Sequence, residues 1–438
     1  MRKKAKNNIG RTSVALLVGA LMSSTLITPA IAQDLTGDIR FSWWGSTTRN
    51  AKAEQIVSMF EEEYPGVSVS PEPGEWGSYW DKLTVQSASG NQPCAITMQS
   101  RWLAQYSDPA ILTPLDDLVE SGAINTAGIA PAVLDGGRGA DGNLYFIPHG
   151  VFFFTVYMNK TVIEEAGLEM PGEGWTWDSM AEFARELATH LPDGSYAIGN
   201  GGTGMDVFTN WVQGRGEALF NADGSVGFTK ETVQGFFDYW EALRQDGITE
   251  AADQMSELPD NVIDDTLLAN GRIMIDFRPA NQVDAHQRVL DVAASGQELT
   301  MLGYPAGPAG YGDDLGANGL AIGANCDGSD KDAAVAFINF FTQDPEAAAV
   351  YASDNGVVSV DALREAQLQD PATSDGQLQA VNMLGVVGPR ARTAFFPAGG
   401  YAAVSSTLMS TYEAVAFGQM STEDAAERLI SQVTRLVR

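Results

Sequence analysis

Two cysteines and three histidines stand in a chain of 438 residues. That scarcity excludes a Cys-rich metal framework and allows one disulfide at most. His149, His190 and His286 lie far apart, and none falls in a metal-ligand spacing such as H-E-x-x-H, so no metal is expected. Basic residues are also few, 26 Lys+Arg against 56 Asp+Glu, for a net charge of −30. A chain this acidic lacks the positive face that nucleic acid or anionic lipid demands. There is no G-x-S-x-G nucleophile elbow and no Walker A sequence. Gly199-Asn-Gly201-Gly-Thr-Gly204 satisfies G-x-G-x-x-G, but it lies mid-chain, whereas a dinucleotide fingerprint opens the first strand-helix unit. It reads instead as a flexible loop facing a ligand, and no cofactor is expected.

Long apolar runs are absent after the first 32 residues. Those begin with Arg2, Lys3, Lys4, Lys6 and Arg11, carry no acid, and continue into the apolar stretch 14–22 and the small-residue tripeptide Ala30-Ile31-Ala32. The order is that of a secretory signal, and the apolar stretch is shorter than the ~20 residues a membrane span requires. Cleavage is expected after Ala32, leaving Gln33 first and no cysteine to carry a lipid. A soluble exported protein is expected. The 44% hydrophobic content suffices for a packed core, and the length suits two lobes.

Beyond Gln33 the chain alternates strand and helix. Residues 38–45 read as a strand ending in a glycine turn. An amphipathic helix comes next, carrying Ala53, Ile56, Phe60 and Tyr64 on one face, then a strand from Val67, a helix over 79–87, and a strand from Cys94. Met180, Phe183 and Leu187 mark a further helix. So do Ala334, Phe337, Ile338 and Phe341, with Ser329 and Asp332 in capping-box spacing. Residues 273–277 and 319–323 read as strands. The tail from Ser421 reads as a capped helix turning Ala426, Leu429, Val433 and Leu436 inward. This alternation predicts an α/β fold with mainly parallel, doubly wound sheets.

In such sheets ligands bind beyond the carboxyl ends of strands. After the first strand come Trp43, Trp44, Gly45, Ser46 and Arg49; after the second, Glu75, Trp76 and Tyr79; after the third, Gln99, Ser100, Arg101 and Trp102. Flat aromatics beside amide, carboxylate and guanidinium groups suit a sugar, whose C–H faces stack on rings while its hydroxyls need directed partners. Trp240 reads as core, from its helical spacing. Trp175 and Trp177, flanking Thr176 at a helix start, read as a hydrophobic staple. Trp211 closely follows the glycine loop and is a candidate for ligand contact.

The sequence resembles the extracellular solute-binding proteins of bacterial ABC importers, in the carbohydrate-binding group related to maltose-binding protein. The resemblance rests on Phe146-Ile-Pro-His-Gly-Val-Phe-Phe-Phe-Thr-Val-Tyr-Met-Asn-Lys160, followed by Ala166-Gly-Leu168 and Gly174-Trp-Thr-Trp-Asp-Ser-Met180. Phe41-Ser-Trp-Trp-Gly45, Leu268-Ala-Asn-Gly-Arg-Ile-Met-Ile275 and Phe341-Thr-Gln-Asp-Pro-Glu-Ala-Ala348 add to it in order. The resemblance implies a two-lobe periplasmic-binding-protein fold of type II, hinged between lobes. An N-terminal lobe would take 33–148 plus 318–362, and a C-terminal lobe 149–317 plus 363–438. It adds Phe152, Asn200, Thr203, Trp211, Asp276, Arg278, Asn318 and Arg392 to the ligand-facing set. In this topology the strand opening at Cys94 pairs antiparallel with residues 319–325, which implies a disulfide between Cys94 and Cys326 in the oxidising periplasm.

The implied function is capture of a carbohydrate by a monomeric, non-enzymatic receptor and delivery to the permease of an ABC importer. Arg49, Arg101, Arg278 and Arg392 leave an anionic sugar open, since guanidinium forks suit acidic groups. The rival reading is a secreted glycoside-acting enzyme with two catalytic carboxylates; a third is an adhesive exported protein without a small-molecule site.

Overall fold

The computed structural model describes residues 35–257 and 262–437. The expected signal segment and its cleavage site after Ala32 lie outside the described residues. Ten strands are present among them: β1 Gly37–Trp44, β2 Val67–Gly74, β3 Ala95–Gln99, β4 Phe146–Phe152, β5 Phe154–Asn159, β6 Tyr196–Ile198, β7 Ile273–Pro279, β8 Leu299–Leu302, β9 Gly316–Ile322 and β10 Val357–Val358. Six of them form one sheet in the order β10-β4-β9-β3-β1-β2, and four form a second in the order β6-β7-β5-β8. Four strands of the first sheet and three of the second share a direction. In the first, β9 runs against β3 and β4, and β10 against β4; in the second, β5 runs against β7 and β8.

The chain leaves the first sheet at Phe153, between β4 and β5, and returns to it at Gly316. β4 therefore continues four residues beyond the expected lobe limit at 148. Val357 and Val358 add an edge strand beside Val151 and Gly150.

Four side-chain cores result from this layout, one of them an aromatic cluster around Trp44, Tyr79 and Trp80. Ile39, Phe41 and Trp43 alternate along β1 onto the face covered by Ile56, Phe60, Phe337, Ile338 and Phe341. The second sheet buries Met180, Leu187, Phe236, Trp240, Leu429 and Val433. A smaller cluster at the crossing joins Val151 and Val357 of one sheet to Tyr157 and Met301 of the other. Each large side chain so buried contributes roughly 1.5–3 kcal/mol.

The disulfide between Cys94 and Cys326 is present. β3 and β9 pair antiparallel, Ala95 opposite Ile322, so the start of one meets the end of the other.

Local capping and burial meet expectation in some places and depart from it in others. Thr176 caps the helix Trp177–Ala188 in a reciprocal box with Ser179, and the flanking Trp175 and Trp177 pack into one core with Met180. The box expected from Ser329 and Asp332 does not form. The helix Gly328–Gln343 starts before Ser329, with Asp327 at its N-cap position, so Ser329 already lies in the first turn. Leu436 is 61% exposed, because the helix Thr422–Leu436 outruns the core that takes Leu429 and Val433. The glycine loop is not a free ligand-facing segment either. Gly201 and Gly202 are buried, and a Cβ on them would collide with the rings of Trp240 and Tyr412. Close packing against two rings is what those glycines permit.

Candidate functional site

β3 ends at Gln99 in the middle of its sheet, and the next residues turn over the sheet's end into the helix Ser100–Tyr106. That turn places Arg101, 6% exposed, against the far side of the molecule. Its Nη2 donates to Asp314 at 2.8 Å, just ahead of β9, and its Nη1 pairs with Asp206, in the first turn of the helix Met205–Gln213 that follows β6. The guanidinium lies 4.7 Å from the Phe152 ring and 5.6 Å from those of Phe154 and Tyr401. Arg101 thus ties the first sheet's strand ends to the second's.

Two small cavities flank it. One, of about 10 Å³, is lined by Arg101, Phe154, Asp206, Asn210, Tyr304 and Asp314; it has room for about one water molecule. The other, bounded by Trp102, Gln105, Pro397 and Tyr401, leaves no room for a water molecule. Several buried polar atoms here have no hydrogen-bond partner: Arg101 Nε, both amide atoms of Asn210, the Tyr304 hydroxyl and Trp102 Nε1. Each such atom costs about 1–3 kcal/mol if left unmet. Arg101, Asn210 and Tyr304 line the first of these spaces and Trp102 the second, and such a clustering of unmet polar atoms is the mark of a site built to receive hydrogen-bonding groups.

Electrostatics at the site are set by two carboxylates sharing one cation. Burial works against the Arg101 charge, but Asp206 and Asp314 more than offset it and hold the guanidinium protonated. Asp206 is pushed up to about 6, first by burial and then by Asp314, with Arg101 opposing. Among the described residues no group of three or more His, Cys, Asp or Glu side chains is arranged to hold a metal ion.

The other expected residues divide between this space, a neighbouring aromatic cluster and the two cores. Phe152 lies under Arg101, and Ser100 Oγ accepts from the Ala317 amide at 3.1 Å. Gln99 donates to Asn318, its register partner, and Asn318 to Asn355, forming a buried amide chain at the strand ends. Trp44 meets Trp76 and Tyr79 edge-on and lies tilted against Trp80, which Trp76 also meets edge-on, in one aromatic cluster. Trp80 stacks on Trp102 at 4.6 Å, and Trp102 meets Tyr401 at 5.7 Å. Only the far end of that cluster reaches the cavities. Trp43 is turned into the first core, its indole donating to Asn50; successive strand residues point to opposite faces, so Trp43 and Trp44 part company. Trp211 belongs to the second core, donating to the Thr232 carbonyl. Glu75 is exposed at the N-cap of the helix Trp76–Ala88, Ser46 caps the helix Thr47–Glu63, and Arg49 pairs with Asp354 at 2.6 Å. Asn200 donates to Thr249 and Tyr412; Thr203 is half-buried in the turn beyond. Asp276 pairs with Arg278, and exposed Arg392 donates to the Gln213 carbonyl.

Sequence reasoning missed Asp206, Asn210, Tyr304, Asp314 and Tyr401. Asp206 and Asn210 carried a signal: polar residues four apart, on one face of the helix after the glycine loop.

Glu250, 6% exposed beside Asn200, yields a pH prediction. Both its oxygens accept from the Asn200 amide, and burial, aided by Asp276, raises it from 4.5 to about 7. Between those values the folded chain holds a proton that the unfolded chain has lost, so this group's contribution falls as pH rises, by up to about 1.4 kcal/mol per unit. Buried His149 and His286, both lowered to about 3 by burial, act oppositely below pH 6.5. Comparison of Glu250→Gln with the parent isolates the glutamate. The variant should gain stability relative to the parent from pH 5 to 7, with no further gain above. Urea titrations at pH 5, 6, 7 and 8 that gave parallel profiles would contradict this.

A family model of bacterial extracellular solute-binding proteins matches residues 44–348. A putative binding protein of Brucella abortus is 25% identical over 203 residues, 45% of this chain and 47% of that protein. The mannitol-binding protein of Pseudomonas aeruginosa is 29% identical over 149 residues, 34% of this chain and 33% of that protein. These matches span less than half the length of either relative. The fold is similar to that of a periplasmic oligogalacturonide-binding protein from Yersinia enterocolitica, solved with saturated digalacturonic acid: TM-score 0.78, 19% identity, 91% of this chain and 98% of that one. No helix among the described residues is long and apolar enough to cross a membrane. With two linked sheets, a polar cleft at their strand ends and a family match over more than half its length, the chain belongs to the bacterial extracellular solute-binding proteins.

Proposed function

We propose that this chain is the periplasmic, monomeric receptor of an ABC importer, and that it captures a carbohydrate between two lobes and presents it to the permease. The lobes would be 33–152 with 316–362, and 153–315 with the tail. The observation that carries the reading is the convergence of unpartnered polar atoms on Arg101, Asn210 and Tyr304 with the flat faces of Phe152, Phe154, Trp102 and Tyr401. Hydroxyls meet the former and C–H faces the latter. The names of relatives that bind mannitol and oligogalacturonide agree with this chemistry.

Asp206 and Tyr401 reach Arg101 across the two halves, and the space left there admits about one water molecule, so a sugar enters as the halves part and is held as they close around it. A ligand that needs both halves shifts the population toward the closed form by its difference in affinity for the two forms. The rival enzyme would need two carboxylates free to act, whereas Asp206 and Asp314 share one guanidinium.

A thermal-shift screen against neutral, acidic and sulfonated mono- and disaccharides tests the proposal. A cognate sugar at a hundred times its Kd should add about 2.7 kcal/mol and raise Tm by about 3 °C, and should be recovered uncleaved. A screen with no shift, or recovery of cleaved fragments, would defeat it.

A further inference from the structure

The arginines that could meet an acidic ligand are already engaged by this protein's own groups. Arg49 is paired with Asp354, Arg278 with Asp276, and Arg101 with both Asp206 and Asp314; Arg392 is outside the cavity wall and donates to a backbone carbonyl. At Arg101 the two carboxylates are not equivalent. Asp314 is fixed from two sides, Oδ2 on the guanidinium and Oδ1 accepting from the Ala394 amide at 2.7 Å. Asp206 is held from one side only, through Oδ1 on Arg101 Nη1. It also comes from the opposite sheet's side of the cleft, and so withdraws whenever the halves part.

We propose that Asp206 sets the specificity of this site: by sharing Arg101 with Asp314 it leaves the cavity one negative charge in excess, so that the cleft takes a neutral polyhydroxylated ligand and rejects its acidic counterpart. This rests on the sugar-receptor reading above. A carboxylate or sulfonate entering here would be a third anion around one buried guanidinium, in surroundings where water screens little. A neutral diol suits these groups better: one hydroxyl hydrogen goes to Asp206 and the other to Asn210 Oδ1, while its lone pairs accept from Arg101 Nε and Asn210 Nδ2. The fold shared with a digalacturonate-binding protein carries no instruction on charge; the side chains around Arg101 do.

Matched probes decide the matter: glucose, galactose, mannitol, maltose and cellobiose against glucuronate, galacturonate, digalacturonate and 6-deoxy-6-sulfoglucose. Calorimetric titration of the unmodified protein should favour a neutral probe over its acidic counterpart by at least tenfold, and Asp206→Asn should shrink that ratio while Asp206→Glu keeps it. An acidic probe that binds the unmodified protein within tenfold of its neutral counterpart, through Arg392 or any other group, overturns the inference and leaves the receptor reading standing. So does an unchanged ratio in a folded Asp206→Asn. Absence of binding by every probe, in parent and variants alike, overturns the receptor reading and this inference with it. The parent ratio decides on its own if the Asn variant does not fold.

Discussion

Replacing Arg101 by alanine is expected to lower folding stability by about 3–5 kcal/mol, the cost of leaving a buried charge without its partner. Here two partners are stranded. Asp206 and Asp314 converge on the same guanidinium, and Asp206 is already pushed up to about 6 while the cation is present. Without it the pair must bind a proton or reach water, and water is reached most directly by parting the halves that Arg101 ties together. The variant should therefore be less stable at neutral pH than at pH 5, more expanded in small-angle scattering, and unable to bind sugar. Arg101→Lys keeps the charge but loses the fork that reaches two carboxylates, and should cost less than half as much. An alanine variant with the parent's denaturation midpoint and radius of gyration would show that Arg101 holds nothing together.

The sheet architecture was legible because each element carries its own period. Alternation along β1 separates Ile39, Phe41 and Trp43 from Ser42 and Trp44, and the three-to-four spacing of Ala53, Ile56 and Phe60 buries one helical face. The cavity was far less legible. Its wall is assembled from Arg101, Asp206, Asp314 and Tyr401, which are brought together only by the two crossings between sheets and the return of the tail. The strand-end rule and nearness to the glycine loop each locate a backbone position and say nothing of the direction a side chain takes, which is why Trp43, a candidate by the first, and Trp211, by the second, lie in hydrophobic cores. Tryptophan is rare and large, so burial claims it unless a ligand surface competes. The arginine that the same rule singled out could not be absorbed that way, because a guanidinium enters the interior only where carboxylates meet it.

Removing the disulfide should be the other large effect, about 3–5 kcal/mol for Cys94→Ala with Cys326→Ala. The bridge closes a loop with a sequence separation of 232, enclosing β3 to β9 and therefore the whole second sheet. Joining the ends of so long a loop restricts the unfolded chain far more than the folded one, where β3 and β9 are already paired by main-chain hydrogen bonds. The folded form should consequently change little. Cys94 precedes β3 and Arg101 follows it, so roughly 15–20 Å of strand separates bridge from cavity. Sugar affinity should stay within about twofold while the denaturation midpoint falls, and reductant should bring the parent to the variant's midpoint but leave the variant unmoved. A loss below about 1 kcal/mol would mean that the unfolded chain keeps these ends together without the bond. Weakened sugar binding would mean instead that the bridge strains or braces β3 along its length, and that the register at Gln99 depends on the cysteine at its other end.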